Sequence, residues 1–299
     1  MKRVISAALC LLLAGCASLR QPSGSPIDPA LLLLVPSSTH SVLWISMEKL
    51  VKTQGYAQLV KSETISVPLD LIAAQTTYDP RKTFWQVLIV SNGANSVLLT
   101  RGEFAPLGME PEFKKEGAVR SNYKGQSLIA TSGIVLTFMS PSCLAVGSRQ
   151  SMEWFLDAHA DRAGGPPKNL LEWAEKIDRK SQIWWKSFAP AELLPKQVPA
   201  AGGFSNILAN LPRLLNGTQS VGGSVDLNSG LRLQLSADYT DSTKAKDAAG
   251  ALNGFVSLGR ATAPKSKPQQ AALYDALKIE QVENAVRMSV EAPVEVLLQ

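Results

Sequence analysis

The chain has 299 residues, of which 45% are hydrophobic and 18% charged, and a formal charge of +5. That is enough chain for one large domain or two medium ones with real cores, while three cysteines and two histidines are too few for a disulfide scaffold or a histidine-rich metal site. The basic residues are dispersed, and the densest clusters, Lys114-Lys115 and Lys265/Lys267, are short and lack interleaved aromatics, which argues against nucleic-acid binding.

The first element is a leader. Lys2 and Arg3 give a positive start, and Val4 to Leu13 give an apolar run of about ten residues, half the length a permanent membrane helix needs. Without Lys2 and Arg3, 28 basic residues face 25 acidic ones. The run ends in Leu13-Ala14-Gly15-Cys16, which resembles the lipobox of bacterial lipoproteins. The resemblance implies that residues 1–15 are a signal peptide cut before Cys16, that the Cys16 thiol carries a diacylglycerol, and that the new amino group is acylated, with palmitate as a typical chain. The protein would then meet a membrane through its N-terminal lipid. Ala17 and Ser18 stand where an aspartate commonly retains such proteins in the inner membrane, so the resemblance implies the outer membrane, facing the periplasm, in a Gram-negative host. Cys10 would leave with the leader. Residues 16–40 are expected to be the lipidated N-terminus and a flexible tether, on the Pro/Ser/Gly composition of "RQPSGSPIDP".

From residue 41 the pattern is α+β, with antiparallel sheets and helices on one side. "SVLWIS" reads as a strand running into helical spacing at Leu50, Val51, Leu59 and Val60, interrupted by Gly55. "FWQVLIV" and "SVLLTR" flank "SNGAN", whose Asn-Gly marks a hairpin. "AVRSNYKGQSLIATS" reads as a second hairpin turning near Lys124-Gly125, and "GIVLTFMS" and "CLAVGS" as further strands. A helix capped by Ser148 follows, with Met152, Phe155 and Leu156 on one face. Another follows Pro166-Pro167, with Leu170, Trp173, Ala174 and Ile177.

The second half repeats this order. "SQIWWKS" reads as a strand, and Phe204, Ile207, Leu208, Leu211 and Leu215 as a helical face kinked at Pro212. "SVGGSVDL" and "LRLQLSADY" form a pair joined by Asn228-Ser229-Gly230, and in the second of these Arg232, Gln234, Ser236 and Asp238 alternate with apolar residues. Asp241 caps a helix containing Ala245, Ala248, Ala249, Leu252 and Val256. A linker, a short helix and a hairpin turning at Glu283-Asn284 close the chain. Ser41-Val42-Leu43-Trp44-Ile45 also resembles Ser181-Gln182-Ile183-Trp184-Trp185. The expected halves, 41–165 and 166–299, therefore read as two diverged copies of one unit.

No constellation points to catalysis, to a cofactor or to a metal. Ser46-Met47-Glu48-Lys49 and Ser121-Asn122-Tyr123-Lys124 match S-x-x-K, but the companion K-[ST]-G is missing; the plainer reading is a strand-to-helix junction and a hairpin edge. His159 lies between Asp157 and Asp161, a spacing that does not share a helix face. Cys143 reads as a small core residue. The adjacent Trp184 and Trp185 must point to opposite sides of a strand, which makes Trp185 the candidate binding face if Trp184 is core. The expectation is a lipid-anchored cell-envelope protein that binds or scaffolds without catalysing. A carrier or sensor of an apolar ligand and an envelope hydrolase with an unrecognised site stay open beside it.

Overall fold

The structure is a computed structural model that describes residues 25–106, 108–131, 133–161, 165–190, 215, 217–263 and 268–293. The leader, Cys16 and the helix expected around 204–215 lie outside the described residues, apart from isolated position 215. The fold is α+β and its strands pair antiparallel.

Twelve strands are described: β1 (Ser41–Ser46), β2 (Phe84–Ser91), β3 (Ser96–Gly102), β4 (Val119–Tyr123), β5 (Gln126–Thr131), β6 (Ile134–Ser140), β7 (Cys143–Gly147), β8 (Ile183–Ser187), β9 (Thr218–Asp226), β10 (Leu231–Tyr239), β11 (Lys278–Val282) and β12 (Ala285–Ala292). They form one sheet in the order β11-β12-β10-β9-β8-β1-β2-β3-β7-β6-β5-β4. The helices described are α1 (Pro29–Leu32), α2 (Met47–Leu50), α3 (Gln54–Leu59), α4 (Glu63–Thr76), α5 (Pro80–Thr83), α6 (Arg149–Ala160), α7 (Lys168–Glu175), α8 (Ser242–Thr262) and α9 (Pro268–Ala276).

Local chemistry sets the hairpins. At the β2–β3 turn the Asn92 carboxamide oxygen accepts from the amides of Ala94 and Asn95, and Gly93 takes φ 85°. At the β4–β5 turn Lys124 and Gly125 both have positive φ, 48° and 83°, as a two-residue turn of the primed type requires. Ser148 accepts from the Ser151 amide and starts α6, and Asp241 does the same for α8 through the Lys244 amide.

Helices cover both faces of the sheet, not one as the sequence suggested. On the front face α1, α6 and α7 bury Leu31, Met152, Phe155 and Leu170 against Val42, Trp44, Leu88 and Leu99. On the back, α2, α3 and the 104–113 segment bury Met47, Tyr56, Phe104 and Phe113 against Val87, Leu136 and Leu144. Further along the same back face, α8 lays Ala245, Ala248 and Ala249 on Tyr239 and Val286. Both faces of the middle strands are apolar, so each needs its own cover.

Two stretches differ from the sequence reading. Residues 26–36, expected in the tether, pack onto the body: Ile27, Leu31 and Val35 are buried in the front core, and Asp28 pairs with Arg101 at 3.1 Å. Helix α4, in a stretch to which the sequence reading assigns no element, runs for 14 residues and stops at Thr77, which takes φ 65°.

The strand order repeats. Outward from the central β1–β8 pair, one arm runs β1-β2-β3-β7-β6 and the other β8-β9-β10-β12-β11. Each is a strand, the hairpin that follows it, and the second strand then the first of a later hairpin. The first arm adds β5 and β4 at its end. The two tryptophan-containing strands also lie side by side at the centre, antiparallel, with Trp44 directly opposite Trp184.

Candidate functional site

The pairing register defines rows of side chains that cross the sheet on one face. One front-face row runs Thr137, Ala145, Leu99, Leu88 and Trp44 on the first arm. It continues through Trp184, Ser224, Gln234, Ser289 and Lys278 on the second. The next row runs Val135, Gly147, Val97, Val90 and Val42, then Lys186, Gly222, Ser236, Arg287 and Glu280. The face thus changes character beyond the central strands. Leu88, Leu99 and Ala145 are 0% exposed beneath helices, whereas among the described residues their counterparts Ser224, Gln234 and Ser289 line a groove of about 860 Å³.

The end of the groove beside the central strands is walled by aromatics. Trp184 stacks on Trp44 with ring centroids 3.9 Å apart, and Trp173 of α7 meets Trp184 edge-on at 6.3 Å. Leu170 and Ala174 fix α7 in the front core, which leaves the half-buried Trp173 on the groove side.

The floor carries an ion pair. Lys186 is 9% exposed, and its Nζ lies 2.8 Å from Asp238 Oδ2. Ser220 Oγ donates to the same oxygen, and Nζ stands 5.8 Å from the centre of the Phe188 ring. Gly222 makes this reach feasible, because a Cβ there would sit 2.8 Å from Lys186 Cδ and 2.7 Å from the Trp185 carbonyl oxygen. Burial pushes the Asp238 carboxyl up, but the hydrogen bonds from Lys186 and Ser220 and the charges of Lys186 and Arg287 outweigh it and hold it below its ordinary value. Two donors converge on one ionised carboxylate; the arrangement holds a side chain in place and leaves a poor proton acceptor at neutral pH.

A second cavity, about 490 Å³, lies where the chain enters the body, between Pro26 and Asp28 on one side and Trp44, Ser46 and Gln86 on the other. Gln86 ties these parts together: its Oε1 accepts from the Asp28 amide at 2.9 Å and from Trp44 Nε1 at 3.0 Å.

The sequence-selected residues fall as follows. Cys16 lies outside the described residues. Trp185 is half-buried on the back face, where its ring lies against Gly223: a Cβ on that glycine would be 2.5 Å from the ring. The groove is on the other face, the one Trp184 faces. Ser46 closes β1 and caps α2; its Oγ is buried without a hydrogen-bond partner, while Lys49 Nζ donates to the Arg179 carbonyl at 3.1 Å. Ser121 lies on edge strand β4 and accepts from Arg149, while Lys124 pairs with Asp157 at 2.8 Å. Neither S-x-x-K pair is hydrogen-bonded to itself. His159 stacks on Phe155, and among the described residues no three His, Cys, Asp or Glu side chains gather as a metal site. Cys143 is buried at 3% exposure, and burial pushes its thiol up to about 11.

Of the groove residues, the alternation in "LRLQLSADY" already puts Gln234, Ser236 and Asp238 on one face. Lys186, Ser224, Ser289 and Arg287 join them only through the register of neighbouring strands.

No protein-family model matches the chain, and no curated protein matches it in sequence. Solved structures of TP0453 are similar at a distance. Its crystal forms I, III and IV align over 91% of this chain and 95%, 96% and 97% of their own, at 13%, 12% and 11% identity and TM-scores of 0.49, 0.49 and 0.48.

Proposed function

We propose that this is a lipid-anchored protein of the bacterial cell envelope, held by Cys16 and facing the periplasm from the outer membrane in a Gram-negative host, which binds a polar partner in its front-face groove and does no chemistry on it. The observation that carries the binding reading is the change along the two rows. One repeated sheet face is apolar and covered on the first arm, and polar and concave on the second. The walls of both cavities mix charged and polar groups with aromatics, which favours a polar ligand over an apolar cargo.

The anchor reading rests on Leu13-Ala14-Gly15-Cys16. The body is docked from Ile27 onward, so eleven Cα steps separate Cys16 from the first docked residue, a reach of about 40 Å at most. No helix among the described residues is long and apolar enough to cross a membrane.

A single-cysteine reporter tests the groove. Cys143 is buried with a raised pKa, and Cys16 carries lipid on this reading. In Ser236→Cys the new thiol is therefore the accessible one. A polar maleimide should label it several-fold more slowly in native envelopes than in the purified protein. Equal rates would overturn the groove as a binding site.

A further inference from the structure

Resting on that reading of the groove, we propose that its ligand is an uncharged carbohydrate chain lying across strands β8 to β11. Three observations select this class. Among the described residues the groove wall holds as many cationic as anionic side chains: Lys176, Lys186, Lys278 and Arg287 against Glu172, Asp178, Asp238 and Glu280. Such a wall offers donors and acceptors without net attraction for a polyanion or a polycation.

The polar groups are also evenly set. Ser224, Gln234 and Ser289 occupy three successive strands of one row, and Ser236 and Arg287 two strands of the next. Neighbouring strands lie roughly 4.8 Å apart, close to the advance per sugar of an extended β-linked chain. A saccharide laid along the row would meet a hydroxyl, amide or guanidinium group at each residue.

At the inner end Trp173 presents a half-buried indole held edge-on by Trp184. An aromatic face packs on the C–H face of a sugar while polar groups beside it bond the hydroxyls. Gly222 leaves the floor of the second row without a side chain of its own, beneath the Lys186 stem. A peptide segment would be drawn more to an apolar or unpaired edge, and β11, the edge strand beside the groove, carries Lys278 and Glu280 on the groove side.

The test uses the detergent-solubilised mature protein carrying Ser236→Cys, with cellotetraose and chitotetraose as probes. The proposal expects at least one tetrasaccharide to slow maleimide labelling and to bind by calorimetry. Gln234→Ala should weaken that binding about threefold to tenfold, the worth of one hydrogen bond. Trp173→Ala should weaken it further. Gln234 is exposed, so its variant keeps the test valid if Trp173→Ala fails to fold. If native envelopes protect the introduced thiol but neither saccharide does, the carbohydrate class is overturned while the groove reading stands. Protection that disappears when the envelopes are digested with protease points to a peptide and overturns the proposal in the same way. Equally fast labelling in envelopes and in purified protein overturns both.

Discussion

Trp44 and Trp184 are stacked 16° from parallel, on directly paired positions of the two central strands. They mark the turning point of the repeated strand order. They also mark the boundary between the covered half of the front face and the groove. Trp44 donates its Nε1 to Gln86, while Trp184 Nε1 is buried with no hydrogen-bond partner among the described residues. The pair therefore combines large apolar burial with one unsatisfied donor at the inner end of the groove.

Truncating Trp184 removes a ring that touches Trp44 and Trp173 at once. Trp184→Ala should cost about 3–5 kcal/mol, read from urea denaturation. Trp185→Ala should cost less, because that ring is half-buried against a glycine. Equal and large losses would show that the back face at Trp185 is as fully core as the front.

Gly222 tests the geometry of the floor. An added Cβ meets the Trp185 carbonyl oxygen, which cannot move without the strand, and the Lys186 stem. Gly222→Ala should destabilise by about 1–3 kcal/mol, as overpacking does. A urea midpoint unchanged from the parent would mean that Lys186 does not cross this position on its way to Asp238.

Asp238 titrates below its ordinary value in the folded state. Its pairing therefore adds stability above the unfolded carboxyl pKa, and that contribution is lost as pH falls through the depressed folded pKa. The carboxylate is 44% exposed, so solvent screening keeps the effect modest. The difference in urea midpoint between parent and Asp238→Asn should be greatest near neutral pH and shrink below about pH 4. A difference that grew on acidification would contradict the ion pair.

Much of the sheet was legible because several hairpins carry their own local signal. Asn92-Gly93, Lys124-Gly125 and Glu283-Asn284 all fall at turns, and Lys124 and Glu283 take positive φ. The likeness of the two tryptophan strands was legible, but not that they lie antiparallel side by side, since that pairing sets Leu43 against Trp185 and Ile45 against Ile183. The helix α4 was not legible, since the sequence reading takes no periodic apolar face from this stretch, and Ile72 joins the back core only in the fold. The docking of Ile27 and Leu31 was hidden by flanking prolines and serines that resemble a linker. The groove was half visible: alternation assigned Gln234, Ser236 and Asp238 to one side, but that side becomes a floor only when β8, β9 and β12 supply Lys186, Ser224 and Arg287. Which side of the Trp184-Trp185 pair holds a cavity depends on where helices pack, and periodicity carries no information about that.

The N-terminus joins two separable roles, and their separation can be measured. On the proposed reading Cys16 holds the lipid, while Ile27 and Leu31, at 1% and 0% exposure, hold the body to the start of the chain. Cys16→Ser should move the protein out of the membrane fraction and leave its melting temperature unchanged, because the cysteine precedes the docked segment. Ile27→Ala should leave it membrane-bound and cost about 2–5 kcal/mol, the usual loss for a buried isoleucine. Mass spectrometry of the membrane-extracted N-terminal peptide should find Cys16 as the first residue, bearing the mass of a diacylglycerol and one acyl chain. An unmodified N-terminus downstream of Cys16 would remove the anchor and the envelope location together, while the docked segment and the groove would stand as described.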